Sequence, residues 1–207
     1  MSGLADAILA RSRRFRAQRF QRFVELLRLD ATTRILDVGG WPSIWLGTGF
    51  EAQVTILNLV LPEHRPPPFT WVEGDACDLR GFADQSFDVI YSNSVIEHVG
   101  DRAQQQRMAD EVRRVGRRYW VQTPHRHFPL EPHFLFPFFQ YLPRGPRHVV
   151  ARHWPWSFAR LLKLDPIYEA DHIWLLDRPQ LQALFPDARL HDERVLGLLK
   201  SVTAVRT

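Results

Sequence analysis

One short stretch of the chain, RILDVGGWPSIW, has residue types and spacing that suit cofactor chemistry. Within it, Asp37, Gly39 and Gly40 stand where an apolar run gives way to a predicted helix start. A carboxylate followed by small residues at the carboxyl end of a strand leaves room for a ligand, and the next helix points its free amides into that space. The stretch therefore predicts a site for a nucleotide-like cofactor, although an ordinary strand-to-helix turn also needs glycine.

A second stretch, residues 123–176, is rich in proline and aromatic residues. Four of its ionisable side chains are spaced like metal ligands: His125, His127, Glu131 and His133. Pro129 and Pro132 interrupt this run, and neither an HExxH motif nor cysteine partners accompany it, so no metal site is expected. Glu131 and His133 are instead expected to contact an acceptor or act as a base, or to make ordinary loop hydrogen bonds.

Short apolar or β-branched runs predict the strands that position these residues. They are Ile35–Val38, Val54–Leu59, Phe69–Val72, Phe87–Ser92 and Tyr119–Gln122. Several are apolar almost throughout, as is typical of strands buried on both faces of a parallel sheet. Arg189–Val195 and Ser201–Arg206, joined by a short turn around Gly197, are expected to pair antiparallel. These runs predict an α/β fold with seven strands and a C-terminal antiparallel hairpin.

Three helices are predicted from periodicity and capping. The first is an amphipathic helix over about Asp6–Leu29. The second covers Asp101–Val115, with Asp101 as its N-cap and Gly116 just past its end. The third covers Leu176–Leu184.

Composition and charge narrow the class of protein. A chain of 207 residues with 45% hydrophobic content is long enough for one well-packed domain, here residues 31–207. The single cysteine, Cys77, and the lack of a long apolar run are expected of a cytoplasmic protein. The net charge of +4 arises in residues 1–30, whose seven arginines face three acids. This basic helix is expected to dock on the domain, with an anionic membrane or an acidic partner as the next alternatives and an organellar transit peptide as the last.

The segment Gly74–Val99 carries the most specific motif, GDACDLRGFADQSFDVIYSNSVIEHV. It contains an acid after the third strand, a D-x-S-F-D turn into the fourth, and an E-H pair on a following helix. The residues concerned are Asp75, Asp84, Ser86, Phe87, Asp88, Glu97 and His98. This order resembles the class I S-adenosylmethionine-dependent methyltransferases, specifically the methyltransferase type 11 group that includes ubiquinone and menaquinone biosynthesis enzymes. The resemblance implies a Rossmann-like, mostly parallel sheet in a three-layer α/β/α arrangement.

The resemblance also implies S-adenosylmethionine as the cofactor. The residues expected around it are Asp37, Gly39, Gly40, Asn58, Leu59, Asp75, Ala76, Ser92, Asn93 and Ser94. Asp37 is expected to balance the cofactor's positive charge. Asp75 is expected to accept from the adenine amine while the Ala76 amide donates to the ring, or else only to cap its turn. Residues 92–94 are expected to line the amino-acid end of the cofactor.

Two positions depart from the family pattern. The third glycine of the turn is absent, and the bulky Trp41 follows Gly40. Asn58 stands where the family places an acid that accepts from both ribose hydroxyls. Because an amide offers fewer acceptor sites than a carboxylate and no charge, weaker cofactor binding is expected.

Transfer of an activated methyl group needs positioning and, for an oxygen acceptor, one general base. His98 is the first candidate, because histidine titrates near neutral pH. The alternative is that Glu97 and His98 only pack their helix on the core. The candidate catalytic residues are therefore His98, His133 and Glu131. The aromatic insert, residues 123–176, predicts an apolar, aromatic or lipid-linked acceptor, or equally a satellite core.

The leading interpretation is a methyltransferase that acts at oxygen on a small or lipid-like acceptor. A catalytically silent, methyltransferase-like regulatory or binding protein is the alternative, motivated by the altered turn and Asn58. A nicotinamide-dependent oxidoreductase is disfavoured because no GxGxxG follows the first strand. A nucleic-acid acceptor is not expected. Enzymes that methylate amino groups of nucleic acids commonly carry an Asn/Asp-Pro-Pro-aromatic motif after the fourth strand, where this chain has SNSV. The oligomeric state has no signature in the sequence.

Overall fold

The computed structural model describes residues 15, 17–161 and 164–207. The main sheet contains β1 (Ile35–Val38), β2 (Val54–Asn58), β3 (Thr70–Glu73), β4 (Phe87–Asn93), β5 (Gly116–Pro124), β8 (Arg189–Val195) and β9 (Leu198–Arg206). A small separate hairpin contains β6 (Leu130–Glu131) and β7 (Phe136–Pro137). The helices are α1 (17–27), α2 (Arg102–Val115), α3 (Arg144–His153), α4 (Phe158–Leu161), α5 (Pro166–His172) and α6 (Arg178–Leu184).

The strand order in the main sheet is β3-β2-β1-β4-β5-β9-β8. Strands β1 to β5 run parallel, and β9 lies antiparallel between β5 and β8. In the turn between β8 and β9, Leu196 and Gly197 have φ values of 51° and 80°, which suit a tight hairpin. The expected α/β fold, with a Rossmann-like, mostly parallel sheet and a C-terminal antiparallel hairpin, is confirmed.

One face of the sheet is covered by α2 and α6. Met108 and Val112 of α2 and Leu181 of α6 are fully buried in a cluster that includes Leu36 and Ile90 of the sheet. Burial of such side chains contributes about 1.5–3 kcal/mol each relative to exposure. This face therefore holds the larger of the two sheet cores.

The opposite face is covered by α1. Phe23 of this helix lies in a cluster with Trp45, Tyr91 and Trp120. Its ring centroid is 4.7 Å from that of Tyr91, 5.7 Å from that of Trp120 and 6.0 Å from that of Trp45, all edge to face. Aromatic pairs favour this geometry because the ring edge is positive and the face negative. The described part of the N-terminal segment is thus an integral layer of the domain.

The helix boundaries follow their capping residues. The Asp101 carboxylate accepts from the amides of Ala103 and Gln104, so α2 begins where the sequence predicts. Gly116 directly follows the last residue of α2, as expected, and it starts β5 in an extended conformation. A Cβ at this position would be 2.4 Å from Cγ1 of Ile90. The glycine is required here by close packing.

Two local expectations are wrong. The helix expected after β1 is reduced to a short 3₁₀ turn, Pro42–Ile44, since Gly47 and Gly49 both have positive φ and end it early. Glu97 and His98 lie in a turn and not on a helix, because the next helix begins only after Gly100. The strand predictions differ from the structure at their ends, as in β5, which starts at Gly116.

Residues 123–176, here called the cap, have their own small core. Phe134, Phe139, Ala151 and Ala170 are buried together in it. The cap begins at the carboxyl end of β5 and returns to the sheet through Trp174, whose amide donates to the Glu97 carbonyl. It therefore covers the loop that follows β4. Among the described residues, none of the helices has the length and apolar character needed to cross a membrane.

Candidate functional site

The turn after β4 buries a carboxylate against the end of β5. Glu97 is completely buried, and its Oε2 accepts a 2.9 Å hydrogen bond from the Thr123 hydroxyl. Its other oxygen, Oε1, has no hydrogen-bond partner among the described residues. A buried carboxylate oxygen left without a partner is costly, which marks this turn as more than a connection.

Three of the predicted catalytic residues meet beside Glu97. His98 Nε2 lies 3.1 Å from His133 Nε2, and His133 Nδ1 lies 2.6 Å from Glu131 Oε1. The second Glu131 oxygen accepts from the Phe134 amide at 2.7 Å, which fixes the carboxylate. The sequence motif and the cap therefore contribute to one cluster, consisting of Glu97, His98, Glu131 and His133.

Burial and mutual charge set the protonation of this cluster. Burial raises the pKa of Glu97 to about 7. Burial, with a contribution from His133, lowers the pKa of His98 to about 4. Burial opposes charge on His133 as well, but the Glu131 and Glu97 carboxylates outweigh it and raise the pKa of His133. At neutral pH His98 is consequently neutral, and His133 is the more basic of the two imidazoles.

A cavity of about 220 Å³ adjoins the cluster on the cap side. Its apolar lining includes Phe134, Phe139 and Trp174, and Arg126 supplies a basic group. Glu131 lines the same cavity and also bonds to His133, so it connects the cavity with the histidine pair.

The glycine turn after β1 is built around a buried acid. Asp37 is 1% exposed, and its Oδ2 accepts a 2.6 Å hydrogen bond from Nε1 of Trp45. A Cβ at Gly40 would be 1.7 Å from that oxygen, so only glycine fits above it. The Asp37 carboxylate is thus enclosed between the Trp45 indole and the Gly40 backbone.

Asn58 at the end of β2 is tied to the same turn. Its Nδ2 donates a 3.0 Å hydrogen bond to the Gly40 carbonyl. The Oδ1 atom is left as the acceptor of this side chain. The next residue, Leu59, is 69% exposed, and Trp41 beside Gly40 is 62% exposed. The ends of β1 and β2 therefore present apolar surface next to one amide acceptor.

Asp75 and Ala76 follow β3 at the same edge of the sheet. Asp75 is exposed, and its Oδ1 accepts a 2.8 Å hydrogen bond from the Cys77 amide, so it caps its own turn. Ala76 is buried. Capping by one oxygen leaves the exposed Asp75 carboxylate with further acceptor sites.

The end of β4 is held by an arginine that the sequence did not single out. Arg19 of α1 donates from Nη1 to Asn93 Oδ1 at 2.7 Å and to Gln122 Oε1 at 3.2 Å. Its other nitrogens bind both carboxylate oxygens of Glu193 at 3.0–3.2 Å. Ser94 Oγ also donates to Gln122 Oε1. The only available signal for Arg19 was its place on the predicted amphipathic helix.

Ser92 and two cap histidines complete the predicted set. Ser92 is fully buried, and its hydroxyl has no partner among the described residues. His125 and His127 do not join the cluster of Glu97, His98, Glu131 and His133. His127 Nδ1 lies 2.5 Å from the hydroxyl of Tyr141, and the His125 amide donates to the Lys200 carbonyl. The four cap residues with metal-like spacing therefore do not form one site. Glu131 and His133 belong to the cluster, whereas His125 and His127 lie elsewhere.

Comparison with known families fixes the class of this domain. The family described as "Methyltransferase domain" matches residues 45–118, a span that contains β2, β3, β4 and α2. These residues therefore form part of a methyltransferase domain. The methyl donor that this family and fold imply for the methyltransferase is S-adenosylmethionine. The match is to the domain in general, so the narrower likeness to ubiquinone and menaquinone enzymes stays a prediction.

Solved structures share the methyltransferase's fold at low identity. An S-adenosylmethionine-dependent methyltransferase from Archaeoglobus fulgidus is 12% identical, covering 92% of this chain and 94% of its own, with a TM-score of 0.55. A Haloferax volcanii complex between the Trm112 methyltransferase activator and a putative methyltransferase is 12% identical, covering 97% of this chain and 95% of its own, with a TM-score of 0.55. A putative Zn-dependent alcohol dehydrogenase from Rhodobacter sphaeroides is 12% identical, covering 90% of this chain and 87% of its own, with a TM-score of 0.59. At these identities the likeness shows the fold alone. No curated protein matches this chain significantly in sequence.

The residues at the carboxyl ends of β1 to β3 fit the methyl donor in part. The exposed Leu59 and Trp41 offer flat apolar surface, and Asn58 and Asp75 offer hydrogen-bond acceptors. The buried Ser92 hydroxyl without a partner lies on the neighbouring strand β4. Asp37 does not fit, because its carboxylate is enclosed with Trp45.

Proposed function

We propose that this methyltransferase acts on an oxygen atom of a small or lipid-like acceptor, and that His98, His133 and Glu131 bind and deprotonate that acceptor. The observation that carries the proposal is the hydrogen-bonded series Glu131, His133, His98 beside the carboxyl ends of β4 and β5. A histidine pair oriented by a carboxylate is suited to accept a hydroxyl proton. In this fold, ligands bind outside the carboxyl ends of the strands.

Methyl transfer to oxygen forms a carbon–oxygen bond, breaks a carbon–sulfur bond and moves the hydroxyl proton to a base. S-adenosylmethionine supplies a methyl group already activated on a sulfonium. The acceptor oxygen bonds to the methyl carbon as the carbon–sulfur bond breaks, and the sulfonium leaves as a neutral thioether. The hydroxyl proton passes to the His98–His133 pair and from there to solvent, which His98 reaches because its side chain is 36% exposed.

The cap cavity supports an acceptor with an apolar part. Phe134, Phe139 and Trp174 can hold an aromatic ring or alkyl segment, while Glu131 is placed to orient a polar group. Exposed His98 marks the side from which the acceptor oxygen would reach the cluster. A small molecule is therefore the favoured acceptor, and nucleic acid is not part of the proposal.

A second candidate is a catalytically silent methyltransferase-like protein. The observation in its favour is that two positions expected at the cofactor are engaged within the protein: Asp37 with Trp45, and Asn58 with the Gly40 carbonyl. This alternative expects the fold without useful affinity for the methyl donor.

The proposed function also includes peripheral membrane contact through the N-terminal helix. Arg19 is engaged with Glu193, and Arg22 lies 3.5 Å from Nδ1 of His191, so both approach the domain. The other leader arginines before residue 17 lie outside the described residues. We propose that the protein is cytoplasmic and that any peripheral membrane contact involves the arginines before residue 17.

Transfer of a labelled methyl group tests the proposal. Apolar phenols, hydroxylated lipids and glycosides are offered with labelled S-adenosylmethionine to the wild type and to His98→Ala. His127→Ala is the control, since this cap histidine lies outside the cluster. We expect turnover to fall by about 100-fold in His98→Ala, with binding of S-adenosylhomocysteine within about twofold of wild type. Equal turnover in both variants contradicts the role of His98. Donor binding without transfer to any acceptor contradicts the proposed activity, whereas absence of donor binding favours the silent alternative.

A further inference from the structure

Three side chains direct potential metal-ligand atoms toward one another beside β4. They are Glu97, His98 and His133, and one ligand atom from each lies within 4.8 Å of the others. His98 Nε2 and His133 Nε2 are 3.1 Å apart, and His133 Nε2 is 4.0 Å from Glu97 Oε1. That Glu97 oxygen is buried, and no residue in the described part of the chain forms a hydrogen bond with it. We propose that Glu97, His98 and His133 bind one divalent transition-metal ion of the zinc type.

The distance between the two histidine nitrogens suits shared ligation. Imidazole nitrogens bind zinc at about 2.0–2.1 Å, so two of them on one ion, at angles of about 90° to 110°, are about 2.9–3.4 Å apart. The observed 3.1 Å falls within this range. The Glu97 oxygen stands slightly farther from His133 and completes the set after a small side-chain rotation.

The outer atoms of the histidines are placed as in metal sites. Each Nε2 faces inward, and each Nδ1 faces a carboxylate: Glu131 Oε1 at 2.6 Å from His133 and Glu169 Oε2 at 3.9 Å from His98. Carboxylates in this position fix the ring orientation of ligating histidines and make the inner nitrogen more basic. The Thr123 hydroxyl holds the second oxygen of Glu97 at 2.9 Å. This support is hard to explain for residues that only fill a loop.

The ligand types select the kind of ion. Two imidazoles and one carboxylate suit zinc, cobalt or iron(II), whereas magnesium prefers oxygen ligands and water. Three carboxylates, those of Glu97, Glu131 and Glu169, surround the histidine pair and favour a cation there. Three protein ligands leave coordination positions open, which is typical of catalytic and not structural zinc sites.

The role of the ion rests on the proposed function, although its binding does not. An ion held here can bind the acceptor oxygen and a second neighbouring oxygen, and can lower the pKa of the acceptor hydroxyl. The acceptor class that follows is a chelating one, with a hydroxyl adjacent to another oxygen donor, as in a catechol. The proton released from that hydroxyl then leaves through the exposed side of His98.

Cobalt binding tests the site directly. The full-length protein is freed of metal with a chelator and titrated with Co²⁺ while visible absorption is recorded, and then with Zn²⁺ in competition. We expect one equivalent of Co²⁺ with ligand-field bands, displaced by Zn²⁺ but not by a 100-fold higher concentration of Mg²⁺. His133→Ala should remove the bands and Glu97→Gln should weaken binding at least tenfold, whereas the cap control His125→Ala should leave both unchanged.

Far-UV circular dichroism of the same samples shows whether each variant is folded, and binding of S-adenosylhomocysteine is measured separately. No cobalt bands in the wild type overturn the metal site even if the donor product binds. The metal site is also overturned if cobalt binding survives in His133→Ala, or if Mg²⁺ displaces Co²⁺ as well as Zn²⁺ does. Cobalt bound at this site by a protein that does not bind S-adenosylhomocysteine supports the metal site and contradicts the methyltransferase role instead.

Discussion

The indole of Trp45 donates a 2.6 Å hydrogen bond to the Asp37 carboxylate inside the aromatic core. The acid that opens the glycine turn is therefore enclosed by the core that α1 completes through Phe23. This contact couples the turn after β1 to the N-terminal helix. It makes the protonation of Asp37 a property of the fold.

Replacement of Asp37 by asparagine should change how stability depends on pH. Burial raises the pKa of Asp37 to about 7 from an ordinary value of 3.8, so the native state holds this proton more tightly than the unfolded chain. The wild type is then most favoured below about pH 4 and loses stability as pH rises to about 7, by up to about 4 kcal/mol. Asp37→Asn removes this loss, so its free energy of unfolding relative to wild type should improve between pH 5 and pH 8. Urea unfolding at both values measures this, and an identical difference at the two pH values would show that Asp37 is not protonated in the fold.

Arg19 should stabilise the domain more than the exposed Arg22 of the same helix does. Its guanidinium is 10% exposed and binds Glu193, Asn93 and Gln122. Among the described residues, Arg19→Ala leaves Glu193 with Lys200 as its cation partner, so a loss of about 2 kcal/mol is expected. Arg22→Ala, on the exposed side of the same helix, should cost under about 0.5 kcal/mol. Urea unfolding compares the two, and equal effects would contradict a structural role for the Arg19 network.

Asp75 should contribute to binding of the methyl donor. Asp75→Ala removes the exposed carboxylate after β3 and should weaken S-adenosylhomocysteine binding by about tenfold, the effect of about one hydrogen bond to a charged group. Asp78→Ala is the control, because this neighbouring acid pairs with Arg80 at the surface. Calorimetric titration gives both affinities. Unchanged binding in Asp75→Ala would remove the adenine assignment and leave Asp75 as a turn cap.

Asn58→Asp should weaken donor binding, although it restores the acid that the family pattern places there. The Asn58 amide donates to the Gly40 carbonyl, and a carboxylate would repel that oxygen and loosen the turn. A loss of about fivefold in S-adenosylhomocysteine affinity is expected, corresponding to about 1 kcal/mol. Tighter binding in this variant would mean that Asn58 is a degraded ribose contact and that its bond to Gly40 is dispensable.

The sheet could be predicted from the sequence because its strands are buried on both faces and read as apolar runs. Positions decided by tertiary contact could not. Gly116 looks like a helix-ending glycine, but its role depends on Ile90 of a neighbouring strand. Asp37 has the spacing of a ligand-facing acid, yet its orientation depends on Trp45.

The candidate site was predicted in part for the same reason. His98, Glu131 and His133 were singled out by residue type, but their meeting depends on how the cap folds back over β4. The E-H pair was expected on a helix, and only the turn observed there lets Glu97 and His98 both face His133. Arg19 carried no local signal, since its partners are 74, 103 and 174 residues away.

The central claim is that this chain binds and uses S-adenosylmethionine. Isothermal titration of the purified protein with S-adenosylmethionine and S-adenosylhomocysteine, with NAD as the control, tests it most directly. The account predicts micromolar binding of the first two ligands and none of NAD. Absence of binding of either sulfur compound at high protein concentration would contradict the account and favour a catalytically silent methyltransferase-like protein.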